Sequence, residues 1–149
     1  AIFFLDRISK LYVLNFVEKN KTLDLFESSY LNITLIWNEG IAFGLFSFDK
    51  DYLYNLLSSL IATIILIILF MAIKSKGFKR YALLVIFSGA LGNLYDRFYY
   101  KAVPDFIDFH IDEFHWFIFN VADIFITIGV IFMILIELIV NKGSKYEKN

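Results

Sequence analysis

Two groups of polar residues stand out because each lies next to a long apolar run. Asp96 follows Asn93 by three residues and directly precedes Arg97, and Asp123 follows Asn120 by three residues. Residues three or four apart share one face of an α-helix. A charge inside a bilayer costs at least about 2–3 kcal/mol, so an ionisable residue on a membrane segment is a hypothesis for a functional site.

A third acidic residue, Asp105, follows the chain's only proline. Pro104 ends any helix and favours extended backbone before it, so Asp105 is presented next to the helices. If Asp105 and Asp123 meet in a partly dry site, they share one proton, so that one activates water while the other polarises a carbonyl. This chemistry is that of an aspartic peptidase without a metal. The alternative is that Asp96, Arg97 and Asp105 form ion pairs at the membrane interface.

Asp6 and Lys10 lie four residues apart in the first apolar run. We expect them to form an ion pair, because pairing lowers the cost of burying both charges. A serine-lysine peptidase built from Ser9 and Lys10 is a weaker alternative, since adjacent helical residues do not face each other.

The two histidines, His110 and His115, lie near Asp108 and Asp112 in a short segment. Their spacing matches no recognised set of metal ligands. We therefore expect solvated polar residues there and assign neither a metal nor another cofactor.

The composition indicates a membrane protein. Of 149 residues, 59% are hydrophobic, and the mean hydropathy of +0.66 is too high for an ordinary soluble domain of this length. The net charge of −1 and the absence of a basic stripe exclude nucleic acid as a partner. Since the chain has no cysteine, disulfide scaffolds and thiol nucleophiles are excluded as well.

Four apolar runs predict four transmembrane helices in a single polytopic domain over residues 1–149, at about residues 1–17, 52–73, 81–97 and 116–140. Asp123 would then lie about seven residues, or roughly 10 Å, inside the last helix. The first run begins without Met, and we expect that its cytoplasmic end is missing.

The distribution of basic residues predicts the orientation. The connection Lys74–Arg80 holds four basic residues in seven, and the C-terminal tail adds three lysines. Basic connections stay in the cytoplasm, so both termini are expected there. The connections at about residues 18–51 and 98–115 then lie outside, close to Asp96, Asp105 and Asp123.

The outer connections have the patterns of secondary structure. Residues Leu31–Trp37 and Asp105–His115 alternate apolar and polar residues, as strands with one apolar face do. Residues Ala42–Phe48 are rich in Phe and predict a short interfacial helix. The expected fold is an all-α membrane protein with four transmembrane helices, a small extracytoplasmic β-sheet and a short interfacial helix.

Five separated blocks, from Asp6 to about Gly129, resemble the lipoprotein signal peptidases, the type II signal peptidases of bacterial membranes. In chain order the blocks are Asp6-Arg-Ile-Ser-Lys10 (family pattern Asp-Gln-x-x-Lys), Asn38-Glu-Gly-Ile-Ala-Phe43 (Asn-x-Gly-x-Ala-Phe), Gly89 to Arg97 (Gly-x-x-Gly-Asn-x-x-Asp-Arg), Val103-Pro-Asp-Phe106 (Val-x-Asp-Phe) and Phe119-Asn-Val-Ala-Asp123 (Phe-Asn-x-Ala-Asp). Five matches in order are far more specific than any single one.

The resemblance implies that Asp105 and Asp123 form a catalytic dyad, with Asp96 as a supporting residue and the reserve candidate. Residues that position the substrate backbone or support the site are Asn38, Asn93, Arg97, Asn120, Asp6 and Lys10. Gly40 and Gly92 would allow close approach of backbone or ligand.

The resemblance also implies the partners and the location. The substrate would be a prolipoprotein signal peptide, cut just before a cysteine that carries a diacylglyceryl group. Membrane lipids and inhibitors of the globomycin type would be further partners. The protein would lie in the bacterial cytoplasmic (inner) membrane, with its active site toward the outer face.

Three positions depart from the family pattern: Arg7 replaces Gln, Lys101 replaces Gly and Phe117 replaces Pro. A cation at Lys101 is expected to lower the pKa of Asp105 or to alter substrate preference. A small proton-coupled transporter subunit is the alternative function, because intramembrane Asp and Lys residues also build proton relays. A third possibility is a non-catalytic assembly protein with a buried polar cluster.

Overall fold

The computed structural model describes residues 1–40, 50–112 and 114–146, which form four α-helices and one four-stranded antiparallel sheet. In chain order the elements are α1 Ile2–Asn20, β1 Asp24–Phe26, β2 Leu31–Asn38, α2 Lys50–Lys74, α3 Gly77–Tyr100, β3 Val103–Ile111, β4 Phe114–Phe119 and α4 Val121–Tyr146. The predicted interfacial helix at Ala42–Phe48 lies outside the described residues.

Two of the helices have the length and composition of membrane spans. Within the described residues, Tyr52–Lys74 of α2 and Val121–Ile139 of α4 are long and apolar enough to cross a bilayer. The other two helices carry charged residues, which lower their hydropathy. Helix α3 packs between α2 and α4, and α1 packs against α3 and α4.

The α3–α4 contact is close because glycines line it. A Cβ atom placed on Gly89 would lie 2.7 Å from the backbone oxygen of Ala122, and one on Gly129 would lie 2.6 Å from Cγ1 of Ile86. Small residues at such positions let helix backbones approach each other, as they do in many membrane bundles. This approach brings the start of α4 next to the middle of α3.

The sheet lies at one end of the helices, with its strands in the order β1-β2-β3-β4. Val13, Leu35 and Phe106 form a buried apolar cluster where α1 meets the sheet. Strand β2 matches the predicted strand at Leu31–Trp37. The segment Asp105–His115, predicted as one strand, instead belongs to a hairpin of β3 and β4. The chain reverses at Asp112, which has a positive φ of 52°.

The predicted start of the last span is wrong. Residues Trp116 to Phe119 belong to β4, and α4 begins at Val121. Asp123 therefore lies in the first turn of α4 and not about seven residues inside it. A short run of aromatic and β-branched residues fits the edge of a sheet as well as it fits a helix, so periodicity does not separate the two.

Candidate active site

Asp105 is a buried carboxylate in the first half of β3. Its side chain accepts two hydrogen bonds from amide groups: Nδ2 of Asn38 lies 2.9 Å from Oδ2, and Nδ2 of Asn120 lies 2.6 Å from Oδ1. The register of the sheet explains the first contact, since Asn38 pairs with Val103 at the end of β2, close to Asp105. The residue is 3% exposed.

Asp123 is held by the N-terminus of α4. Its Oδ2 accepts the backbone N–H of Asn120 at 3.1 Å, and Oδ1 of Asn120 accepts the backbone N–H of Asp123 at 3.2 Å. These two reciprocal bonds form a capping box, which begins the helix and fixes the direction of the carboxylate. The positive end of the helix dipole also favours a negative charge at this position.

Asn120 connects the two carboxylates. Its Nδ2 donates to Oδ1 of Asp105, while its Oδ1 and backbone N–H bind Asp123. Asn93 of α3 completes the arrangement, because its Nδ2 donates to Oδ1 of Asp123 at 2.8 Å and its Oδ1 accepts from Asn120 at 3.1 Å. The structure thus brings together four polar residues that the sequence placed in three separate motifs.

The pKa of Asp105 is raised above its ordinary value. Burial is the main cause, and the negative charge of Asp123 acts in the same direction. The hydrogen bonds from Asn38 and Asn120 oppose this rise, since they stabilise the ionised form. The expected lowering by Lys101 is wrong: its Nζ lies 5.8 Å from the ring centroid of Tyr54, as a cation–π contact, and the carboxyl is shifted the other way.

A second buried cluster of charges lies beside the carboxylates. Nζ of Lys10 donates to Oδ2 of Asp6 at 2.9 Å and to Oδ2 of Asp96 at 2.7 Å. This confirms the expected pair of Asp6 with Lys10. Arg7 also contacts Asp96, with Nη1 2.6 Å from Oδ1, and its guanidinium lies 5.0 Å from the ring centroid of Tyr95. The positive charges of Arg7 and Lys10 therefore balance the negative charges of Asp6 and Asp96.

The charge cluster is connected to the carboxylate site at two points. Nζ of Lys10 donates its third hydrogen bond to Oδ1 of Asn93 at 2.8 Å, so all three ammonium protons have acceptors. Oδ1 of Asp6 accepts the backbone N–H of Ala122 at 3.0 Å, in the first turn of α4. Gly92 makes room for this contact, since a Cβ there would lie 2.5 Å from Oδ2 of Asp6.

Arg97 and Gly40 lie on another side of the site. Arg97 does not pair with Asp96, contrary to the ion-pair alternative; its Nη1 donates to the backbone oxygen of Asn93 at 3.3 Å. A Cβ placed on Gly40 would lie 3.8 Å from Nη2 of Arg97, so the two residues are close. Gly40 has a φ of +75° and donates its N–H to Oδ1 of Asn38 at 2.8 Å.

Two residues of this region were not predicted from the sequence to belong to it. Arg7 was noted only as a departure from the family pattern, yet it completes the charge balance around Asp96. Tyr54 donates from its hydroxyl to the backbone oxygen of Arg97 at 2.9 Å. No local signal marks either residue, because both contacts join different helices.

An open cavity of about 550 Å³ reaches both carboxylates. Its polar part is formed by Asn38, Asp105 and Asp123. Its apolar walls come from β4 and α4 and consist of Phe117, Ile118, Phe119, Ile124, Thr127 and Ile128. The cavity can therefore hold an apolar segment while a polar backbone group faces the two acids.

The histidine segment matches the expected set of solvated residues only in part, since Asp112 and His115 are exposed as predicted. Asp108 is buried, and its Oδ2 lies 2.8 Å from Nδ1 of His115. The rings of His110 and His115 stack with their centroids 5.1 Å apart. Sequence spacing could not indicate this group, because the hairpin between β3 and β4 brings its members together.

Comparison with known proteins identifies relatives along nearly the whole chain. The family model described as Signal peptidase (SPase) II matches residues 1–139. The lipoprotein signal peptidase of Pelagibacter ubique (strain HTCC1062) is 52% identical over 149 residues, which cover 100% of this chain and 90% of the relative. That of Anaplasma phagocytophilum (strain HZ) is 45% identical over 137 residues, which cover 90% and 85% of the two chains.

Solved structures of bacterial membrane enzymes have a similar fold. One superposes with a TM-score of 0.74 at 33% identity and covers 92% of this chain and 87% of its own. Another has a TM-score of 0.68 at 32% identity and covers 97% and 86%. Sequence and fold agree along the length that carries both carboxylates, and the chain therefore belongs to the signal peptidase II family.

Proposed function

We propose that this protein is a membrane-embedded aspartic endopeptidase with Asp105 and Asp123 as its catalytic pair. Membership of the signal peptidase II family makes it a peptidase that removes signal peptides from prolipoproteins. The observation that carries the aspartic mechanism is the position of both carboxylates on one cavity, joined through Asn120. The transporter alternative receives no support from the relatives, which are peptidases.

We infer separate roles for the two carboxylates from their different surroundings. The raised pKa of Asp105 favours its protonated form, so we assign it the role of the acid. Asp123 accepts hydrogen bonds from Asn93 and from the backbone of Asn120 at a helix N-terminus, and a carboxylate can accept such bonds with both oxygens. Asp123 is therefore the base that activates a water molecule.

Peptide hydrolysis then follows in two steps. The water oxygen attacks the scissile carbonyl carbon while Asp123 accepts a water proton and Asp105 gives its proton to the carbonyl oxygen. The resulting diol collapses as Asp105 takes a proton back from a hydroxyl group and Asp123 protonates the departing nitrogen. Both carboxyl groups return to their starting states, and the reaction uses no cofactor.

The cavity suits a lipid-modified substrate. Its apolar walls on β4 and α4 match the surface of a signal helix and of diacylglyceryl chains, and its polar part is where the scissile amide would lie. The family resemblance implies cleavage just before the lipid-bearing cysteine, and a lipid anchor would hold that residue at the depth of the headgroups. Inhibitors of the globomycin type would compete for the same cavity.

All four helices are proposed to span the bacterial inner membrane. In α1 the charged residues Asp6 and Lys10 are buried at 0% exposure, while Phe4, Ile8 and Tyr12 on the outer side are 66–68% exposed. A helix with its charges inside and its apolar residues outside is suited to lipid. The basic connection between α2 and α3 would lie in the cytoplasm, and the sheet with both carboxylates at the outer surface.

The decisive experiment replaces each acid by its amide. Asp105→Asn and Asp123→Asn are each expected to abolish cleavage of a diacylglyceryl-modified prolipoprotein in proteoliposomes while the protein stays folded. Asp24→Asn, an exposed change on the same sheet, is the matched control and should retain full activity. Retained turnover in either site variant would overturn the assignment of the pair.

A further inference from the structure

Three side chains at the tip of the sheet form a compact group of metal-ligand atoms. One ligand atom each from Asp108, His110 and His115 lies within 4.8 Å of the other two. His110 and His115 are direct cross-strand partners in β3 and β4, and their rings stack with an interplanar angle of 15°. The group thus depends on the hairpin and not on neighbouring positions in the chain.

Two atoms of this group are buried without a hydrogen-bond partner among the described residues. These atoms are Oδ1 of Asp108 and Nδ1 of His110. The side chain of Asp108 is only 7% exposed. Leaving a buried polar atom unpaired costs roughly 1–3 kcal/mol, so such atoms call for an explanation such as a bound ion.

We propose that Asp108, His110 and His115 bind one divalent transition-metal ion of the zinc type. Two imidazoles and one carboxylate are ligands that Zn²⁺ prefers, and water would fill the fourth position. Mg²⁺ and Ca²⁺ prefer sites made of oxygen atoms alone. With bonds of about 2.0–2.1 Å, the ligands of a tetrahedral ion lie roughly 3.3 Å apart. The three ligand atoms lie within 4.8 Å of one another, so a bound ion would draw the group closer together, and the 50% exposed side chain of His115 has room to adjust.

The ion would join β3 to β4 close to the turn of the hairpin. Asp108 lies three residues after Asp105, about 10 Å along the strand, so the ion is separate from the carboxylate pair. Strand β4 forms one wall of the cavity through Phe117 to Phe119. The metal would therefore stabilise this wall without taking part in peptide hydrolysis.

The composition of the chain makes the site easy to test. The chain has two histidines, both in this group, and no cysteine. The full-length protein, purified in detergent without a polyhistidine tag, is titrated with ZnCl₂ in a calorimeter. The same protein is titrated with CoCl₂, because tetrahedral Co²⁺ has an intense visible absorption. MgCl₂ serves as the control for ion type.

The proposal expects one Zn²⁺ per chain and the visible spectrum of tetrahedral Co²⁺. His110→Ala, His115→Ala and Asp108→Asn should each weaken Zn²⁺ binding at least tenfold. Asp112→Asn, an exposed acid at the turn whose left-handed backbone Asn tolerates, should leave binding unchanged. Absence of Zn²⁺ binding at micromolar concentration, or binding that survives loss of either histidine, would overturn the proposal.

Discussion

Asp105 and Asp123 have the same side chain but opposite surroundings. Asp105 is buried in a strand, where burial raises its pKa, whereas Asp123 is half-buried at a helix N-terminus. A pair of carboxyl groups with different environments is how one site supplies both an acid and a base near neutral pH. The division of labour proposed for the two acids follows from this difference.

The raised pKa of Asp105 sets the direction of a pH dependence. Activity should fall as the pH rises through this pKa, because the acid then loses its proton. Asn38→Ala removes a hydrogen bond that stabilises the ionised form, so Asp105 should hold its proton to higher pH. We therefore expect the alkaline limb of the kcat/KM profile to move to higher pH in this variant.

Asn32→Ala is the matched control for that experiment. Asn32 lies on the same strand and also accepts a backbone N–H, that of Ser28, at 3.1 Å, but the structure shows no bond from it to Asp105. The alkaline limb of the kcat/KM profile of Asn32→Ala should lie at the same pH as that of the unsubstituted protein. An alkaline limb that stays in place in Asn38→Ala would contradict the assignment of Asp105 as the acid.

Lys10 is expected to be the most important residue for stability in the charge cluster. Lys10→Met leaves Asp6 and Asp96 buried with less compensation, and breaking a buried ion pair costs about 3–5 kcal/mol. Arg7→Gln introduces the residue usual in the family and leaves Lys10 in place. The loss of stability in Arg7→Gln should therefore be smaller than in Lys10→Met. The unfolding temperatures of both variants, measured in detergent, test this prediction. An equal or larger decrease in Arg7→Gln would contradict it.

The junction of β4 with α4 shows what local sequence can and cannot predict. The spacing of Asn120 and Asp123 predicted a shared helix face, but these residues form the cap that begins the helix. The apolar residues before Asn120 match a membrane helix in composition, and only their pairing with β3 makes them a strand. Such pairing is tertiary information, which periodicity does not contain.

Asn120 combines two tasks that a substitution can separate. Ser is also a good N-cap, so Asn120→Ser should keep the stability of α4 within about 1 kcal/mol. It lacks the amide that donates to Asp105 and Asn93, so cleavage should fall by at least about tenfold, as expected for lost positioning. Asn120→Ala should lower both the stability of α4 and the rate of cleavage. Unfolding temperatures and turnover numbers are compared, and full activity of Asn120→Ser would exclude the bridging role.

Across the whole molecule, the motifs were easier to predict than their connections. The expected family is confirmed, and the helix-plus-sheet class agrees with the structure. The contact of Asp6 with Lys10 was predictable because it is local to one helix turn. The contacts of Arg7 and Lys10 with Asp96 were not, since 89 and 86 residues separate the partners along the chain.

The absence of cysteine from the chain allows a direct test of the proposed topology. Glu27→Cys lies between β1 and β2, and Ser75→Cys lies between α2 and α3. In cells with a permeabilised outer membrane and an intact inner membrane, a membrane-impermeant maleimide should label Glu27→Cys only. Ser75→Cys should react after the inner membrane is opened. Labelling of Ser75→Cys while the inner membrane is intact would contradict the proposed orientation.

The cap of α4 also has a consequence for the cell. One acid belongs to a strand and the other to a helix, so the contacts of Asn120 with both acids require the sheet to be docked on the bundle. We therefore expect a polypeptide whose sheet has not docked to hold its two acids apart and to lack peptidase activity. If Asp105 and Asp123 are the catalytic pair, the protein would gain activity only when assembly is complete and would not cleave neighbouring proteins during its own biogenesis.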